Sequence, residues 1–325
     1  MTSLAMIQAA ASRLKGHARR TPLLSSPFLD EIAERRVLIK PECLQHTGSF
    51  KFRGGWSAVS ALEPDVRQRG VIAFSSGNHA QGVALAAREH GVPAVIVMPA
   101  DAPQLKIDNT RALGAEVVLY DRVGGESREA IGQELSQTRG LTLIKPYDEP
   151  QVIAGQGTTG LEIAEQVAEL GVDTADVLIC CGGGGLTSGI ALALEGHAPG
   201  LRPRPCEPAG FDDATRSLAS GMIRANATQS GSICDAIVTQ QPGELTFPIM
   251  SRLCGPGLVV TDDEAMHAMA LAFSRLKVVA EPGGAVALAA ALFRKDQIAG
   301  DTVIALISGG NVDPAMFRTA LETYS

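Results

Sequence analysis

Short apolar runs alternating with alanine-rich helical stretches constrain the fold of this chain more than any other feature. Runs at 36–39, 70–75, 94–98, 116–119, 143–144, 177–181, 257–260 and 302–308 read as strands. Between them, 80–90, 158–170, 185–195, 262–277 and 284–293 carry helical spacing. Strand–helix alternation predicts parallel sheets covered on both faces, hence an α/β fold. Residues 70–147 form a compact βαβαβ run from VIAFSS to LIKPY. The expected organisation is a small α/β domain, 70–147, inserted into a large one made of 1–69 and 148–325. Ligands of open α/β sheets gather at the carboxyl ends of strands, so the site is expected in the cleft between the two.

Composition narrows the partners. A chain of 325 residues, 45% hydrophobic and 4% aromatic, can bury a sizeable core. The formal charge of −7 leaves no electrostatic footprint for nucleic acid or an anionic membrane. An anionic substrate must therefore be drawn in by local cations. The six cysteines show no CxxC spacing and read as small buried hydrophobes. No apolar stretch approaches the roughly 20 residues of a membrane span, and the N-terminus lacks a signal-peptide core. A soluble, cytoplasmic enzyme is expected.

Four segments carry chemistry. TGSFKFRGG (47–55) sets Lys51 between two phenylalanines at a helix start. Apolar surroundings lower a lysine's pKa and make it a nucleophile toward aldehydes; alone, Lys51 reads as a surface lysine on an amphipathic helix. CCGGGGLTSGIALAL (180–194) is a strand, then Gly182, Gly183, Gly184 and Gly185, then a helix. Exposed N–H groups at such a helix start cradle a phosphate. No GK[ST] follows, which excludes a nucleoside-triphosphate loop; a dinucleotide loop and a purely structural tight turn are the other readings of the glycine run alone. AFSSGNHAQGVALAA (73–87) crowds Ser75, Ser76, Asn78 and His79 at a helix start suited to a carboxylate. VIALISGGNVD (303–313) ends a strand in Ser308, whose neutral hydroxyl could face a ring nitrogen; alone it reads as a turn.

Taken together and in this order, the four segments resemble the fold-type II pyridoxal-phosphate enzymes, and closely the serine/threonine dehydratase and serine racemase group. The likeness runs from TPLL (21–24) to SGGN (308–311), through KPYDEPQVIAGQGTTGLE (145–162) and AEPGGAVALAA (280–290). It implies a tryptophan synthase β-like fold of two parallel-sheet domains with pyridoxal 5'-phosphate in the cleft. It makes Lys51 the Schiff-base and proton-transfer lysine, with Phe50 against the ring. It assigns Gly182, Gly183, Gly184 and Gly185 to the phosphate, Asn78 to the ring hydroxyl and Ser308 to the pyridine nitrogen. Ser75, Ser76, Asn78 and His79 become the substrate carboxylate loop, and a homodimer is implied.

Within the group, Ser76 stands where serine racemase has its second-face base. Arg128 in GESREA (125–130) matches an arginine that reaches the substrate site. A cation there favours a substrate with a further anionic group. CEPAGFDD (206–213) resembles the group's metal loop, with Glu207, Asp213 and the Phe211 carbonyl as oxygen ligands of Mg²⁺, Mn²⁺ or Ca²⁺. His46 and Pro27 depart from serine racemase at its nucleotide contacts. The expected activity is a dehydratase, or ammonia-lyase, of amino-acid metabolism that converts 3-hydroxyaspartate to oxaloacetate and ammonia. Serine/threonine dehydratase and serine racemase are the alternatives within the class. A non-catalytic amino-acid- or cofactor-binding protein is the alternative outside it.

Overall fold

The computed structural model describes residues 2–75, 77–102, 104–121 and 124–324. Its strands are β1 (Arg36–Pro41), β2 (Val71–Phe74), β3 (Ala94–Pro99), β4 (Glu116–Tyr120), β5 (Thr142–Leu143), β6 (Ala175–Cys180), β7 (Leu201–Pro208), β8 (Leu258–Val260) and β9 (Thr302–Ile307). They form a five-stranded sheet ordered β1-β9-β6-β7-β8 and a four-stranded sheet ordered β4-β3-β2-β5. Every pairing between these strands is parallel. The chain is thus an α/β protein with two parallel sheets.

Side-chain alternation explains why each sheet is covered twice. In the larger sheet Val37, Ile39, Leu178, Val303 and Ala305 face helix Pro282–Phe293. Their neighbours Leu38, Val177, Ile179, Ile304 and Leu306 face helices Pro150–Glu169 and Gly185–His197. Helix Pro282–Phe293 is apolar all round and interior, as a helix with no polar face must be. In the smaller sheet Val71, Ala73 and Ile96 pack on helix Asn78–Glu89, while Ile72, Val95 and Val97 face Ile131 and Leu135 of helix Arg128–Arg139.

Strand β7 has no counterpart among the strands expected from the sequence, because LRPRPCEP carries three prolines. The structure shows why they are tolerated. The Cys206 carbonyl accepts from Cys181 on the β6 side, and the Pro203 carbonyl accepts from Gly255 on the other. A residue's N–H and C=O point the same way in a parallel strand. The missing N–H groups of Pro203 and Pro205 therefore face the side where β8 has not yet begun, since its pairing starts at Cys206. The predicted helix over 262–277 also divides. Asp262–Leu271 is α-helical, and Ala272–Leu276 widens into a π-turn that Lys277 ends at φ 61°.

Topology alone fixes where a ligand belongs. In the larger sheet the strand order reverses between β6 and β9; in the smaller it reverses between β2 and β5. Crevices open at the carboxyl ends of strands at such reversals. The segments leaving those four ends are the glycine loop, Ser308, the SSGNH turn and the 144–147 stretch.

Candidate active site

Lys51 opens helix Lys51–Ser60, which lies across helix Asn78–Glu89. The crossing is close enough that a Cβ on Gly82 would meet the Lys51 carbonyl carbon at 2.8 Å. Only glycine permits that approach, and it sets the lysine beside the start of the second helix. The ammonium donates to the Pro146 carbonyl at 2.7 Å and lies 5.1 Å from the centre of the Phe50 ring. Burial pushes its pKa down to about 8, against a smaller upward pull from Glu281. A lysine with one neutral acceptor and a lowered pKa is suited to attack a carbonyl.

The glycine loop leaves β6 and caps helix Gly185–His197, with Gly184 left-handed at φ 89°. The ring of Tyr147 lies where a Gly183 side chain would stand. Thr246 donates to the Gly183 carbonyl at 2.6 Å, and the Asp148 carboxylate accepts from Leu245 N–H at 2.8 Å, so the loop is braced from outside. The first-turn N–H groups of that helix have no intrahelical acceptor. Around them stand buried polar atoms with no protein partner: the Gln156 amide, facing Gly185, and the Thr239 hydroxyl, on the side chain that borders Gly182. This lining fits a phosphate.

Ser308 follows β9 and is buried, its N–H donating to the Gly284 carbonyl and its carbonyl accepting from Phe50. Asn78 donates to Glu281 at 2.6 Å and accepts from Asn311 at 2.7 Å. Ser75 accepts from Gly77 N–H at 3.1 Å. Ser76 lies outside the described residues. His79 is buried, with Nε2 on the Ile144 carbonyl at 2.9 Å. A carbonyl only accepts, so Nε2 carries the proton and Nδ1 is a bare acceptor without a partner. Burial and then the Lys51 charge push the ring down to about 3, so it stays neutral. This imidazole cannot pair with a carboxylate, and what His79 can offer one is its backbone N–H.

Arg128 is the first residue of its helix and is exposed. A helix N-terminus favours acids, so a cation there is placed against the dipole. Its charge reaches Tyr147, whose hydroxyl is pushed up chiefly by burial and pulled back by Arg128.

Glu207 lies near the end of β7 and is fully buried, both oxygens accepting from the start of helix Asp213–Ser220: Ala214 N–H at 2.8 Å, Thr215 N–H at 2.7 Å and the Thr215 hydroxyl at 2.6 Å. Asp213 accepts from Asn226 at 2.6 Å on one oxygen, and its other oxygen has no partner. Burial pushes Glu207 up to about 8, helped by Asp213, and burial pushes Asp213 up to about 6. Phe211 is buried two residues before Asp213. Among the described residues no three acidic, histidine or cysteine side chains converge as a metal cluster. A cation here would need carbonyl and water oxygens to complete its shell.

A lysine with a lowered pKa, a glycine turn that opens a helix, a serine at one strand end and an asparagine at another helix start stand where the two parallel sheets meet, a lining suited to pyridoxal phosphate. Comparison with known proteins agrees. The family model described as pyridoxal-phosphate dependent enzyme matches residues 14–309, and the chain belongs to that family. It is 44% identical over 313 residues to the L-threo-3-hydroxyaspartate ammonia-lyase of Pseudomonas sp, covering 96% of each chain. It is 42% identical to the enzyme of the same name from Saccharomyces cerevisiae, covering 96% of this chain and 94% of that one. The crystal structure of a T.th. threonine deaminase superposes with a TM-score of 0.89 at 44% identity, covering 96% of this chain and 99% of that one.

Sequence reasoning did not single out Tyr147, Asp148, Gln156, Thr246 or Glu281. The first three lie in KPYDEPQVIAGQG and Glu281 in AEPGG, whose family likeness is legible in the stretch as a whole and not residue by residue. A polar residue on the buried side of a long helix, as Gln156 is, was the available signal.

Proposed function

We propose that this protein is an ammonia-lyase that removes water and then ammonia from 3-hydroxyaspartate, giving oxaloacetate. The observation that carries the reaction class is the Lys51 amine, with its lowered pKa, on the carbonyl of Pro146, whose neighbour Tyr147 covers Gly183 of the glycine loop. When bound, pyridoxal phosphate supplies an electron sink for the carbanion left at the substrate Cα. The chain's own residues do the rest. Gly182, Gly183, Gly184 and Gly185 would hold the phosphate, Phe50 would lie against the ring, Ser308 would partner its nitrogen and Asn78 its hydroxyl. Ser75 and the N–H groups of Asn78 and His79 hold the substrate carboxylate, and Ser76 serves the opposite face as proton donor or acceptor. Lys51 takes the Cα proton; the Cα electron pair becomes the Cα–Cβ double bond as the Cβ–O bond breaks, and the hydroxyl takes up the proton that Lys51 gathered and leaves as water. The enamine product then hydrolyses to the oxo acid and ammonia. Residues 70–147 are taken as the small domain and 1–69 with 148–325 as the large one, the cleft between them being the site.

Arg128 supports the substrate. A second carboxylate on Cβ would meet a guanidinium with which serine and threonine form no charge pair, and such a charge-assisted pair discriminates between the substrates. The ratio of kcat/KM for L-threo-3-hydroxyaspartate over L-serine is expected to exceed roughly tenfold, the scale of one such pair. Arg128→Met removes most of that ratio. The likeness to threonine deaminase at equal identity favours the neutral-substrate alternative, so a wild type that prefers L-threonine or L-serine would reject the β-carboxylate reading.

A divalent cation, Mg²⁺, Mn²⁺ or Ca²⁺, is proposed at Glu207, Asp213 and the Phe211 carbonyl. The buried, partnerless Asp213 oxygen supports it. At a free concentration about a hundredfold above Kd, such an ion stabilises the fold by about 2.7 kcal/mol. Chelation is expected to lower the melting temperature and Mg²⁺ or Mn²⁺ to restore it. Asp213→Ala should melt at one temperature with or without the ion; a persisting response would place the cation elsewhere.

A homodimer is proposed as the assembly. Exposed Phe28, stacked by Arg275, and exposed Phe273 and Val279 form apolar surface that a second copy would cover. Among the described residues no helix is long and apolar enough to cross a membrane. The six cysteines are free thiols, which fits a cytoplasmic location.

A further inference from the structure

Glu281 is a buried carboxylate with no part in the proposed reaction. It precedes helix Pro282–Phe293 and reaches Asn78, which opens helix Asn78–Glu89 against the other sheet. Room for it exists only because residue 309 is glycine: a Cβ there would stand 2.0 Å from its Oε1. The AEPGG and SGGN motifs are interlocked in the same way through backbone, with Glu281 N–H on the Gly309 carbonyl at 3.0 Å.

The hydrogen bonds orient Asn78 without ambiguity. Asn311 Nδ2 donates to the Thr47 carbonyl at 2.7 Å, and a carbonyl cannot donate back. The same Nδ2 lies 2.7 Å from Asn78, so the facing atom is the Asn78 oxygen. Asn78 Nδ2 then faces Glu281 at 2.6 Å, spending one of its two hydrogens. One N–H remains to offer a ligand.

We propose that Glu281 is a positioning residue: it locks Asn78 so that a single amide hydrogen meets the cofactor's ring hydroxyl, and its charge sets the proton balance between that hydroxyl and Lys51. This rests on the assignment of Asn78 to the ring hydroxyl. The charged groups facing Glu281 are Lys51, Lys106 and Asp235, with the Cys43 thiol nearby. Lys106 and Asp235 approach to 3.6 Å, so they largely offset one another, and Lys51 is the partner that matters. Burial raises the carboxyl to about 7. Above that pH it is ionised and clamps Asn78 as an acceptor; below it the added proton weakens the clamp and removes the charge.

The test is a pH titration of the visible absorbance of the bound cofactor in wild type, Glu281→Gln and Glu281→Asp. Wild type should show one step near neutrality. Glu281→Gln should lack it and should bind the cofactor about tenfold more weakly, the scale of a hydrogen bond to a charged group. Glu281→Asp, which keeps the charge but shortens the reach, should retain a displaced step. In the cofactor-free protein, the pH midpoint of pyridoxal phosphate uptake should fall by at least about half a unit in Glu281→Gln, because Lys51 loses the charge that holds its proton. A Glu281→Gln profile that superimposes on wild type overturns the proposal. Should that variant not fold, a Glu281→Asp profile identical to wild type overturns it. Wild type without a lysine-bound visible band would instead overturn the site assignment beneath it.

Discussion

Lys51→Ala is expected to lower turnover by at least about 10³-fold, the scale of a lost proton-transfer group with the covalent anchor removed as well. Borohydride reduction of the yellow wild-type protein should leave the cofactor on Lys51. Chemistry distinguishes this lysine from its competitors. Lys40 is more deeply buried, but its ammonium is pinned by Glu162 at 2.6 Å, the Thr21 carbonyl at 2.8 Å and Gln166 at 3.0 Å. Burial lowers its pKa as well, but Glu162 and Glu42 pull it back, and three acceptors hold its three hydrogens in place. Lys106 pairs with Asp235, and exposed Lys277 donates to the Ser274 carbonyl. Lys51 has one neutral acceptor and a pKa pushed down to about 8, so a substantial fraction is free amine at mildly alkaline pH. Uptake of pyridoxal phosphate by the cofactor-free protein should therefore rise with pH and level off above about 8. A reduced label found on Lys40, Lys106 or Lys277 would end the assignment.

The candidate site was legible where its segments sit on strand ends. The glycine loop, SSGNH and SGGN each follow an apolar run, so their positions at the carboxyl edge could be read before any fold was known. Parallel strands were legible because both faces are buried, which leaves continuous apolar runs. β7 was hidden because its tolerance of proline depends on which neighbour each missing N–H faces, and that is a property of the assembled sheet. Glu281 was hidden for a related reason. A glutamate before proline at a helix start reads as local capping, whereas its partner Asn78 lies 203 residues away. His79 shows the limit of motif reading: the SGNH pattern puts it at the carboxylate loop, but only the Ile144 carbonyl reveals that its ring is neutral and committed elsewhere.

Arg53→Met is expected to cost about 3–5 kcal/mol of stability, read as a lower denaturation midpoint, because it strands a buried carboxylate. Arg53, two residues past Lys51, is almost wholly buried. Its guanidinium grips Glu42 at 2.7 and 2.8 Å and Glu162 at 2.6 and 3.0 Å. Lys40 meets the same Glu162, and Thr21 donates to Glu42 at 2.7 Å. Two cations and two carboxylates are thus interleaved where β1, the lysine helix and helix Pro150–Glu169 meet. Lysine could not replace the arginine, since a point charge cannot bond two carboxylates through planar forks. The pH dependence separates charge loss from packing loss. Burial raises the Glu42 pKa, but Arg53 and Lys40 bring it below the usual carboxylate value. In wild type its contribution is present above the unfolded carboxylate pKa and is lost as pH falls through the lower folded value. Without Arg53 burial dominates, the folded pKa rises above the unfolded one, and stability should fall as pH increases through that window. Adding Glu42→Gln to Arg53→Met should recover part of the loss and flatten the slope. An Arg53→Met protein within about 1 kcal/mol of wild type, with an unchanged pH slope, would mean that Lys40 alone neutralises Glu42, and that the lysine helix is held by its packing on helix Asn78–Glu89 rather than by charge.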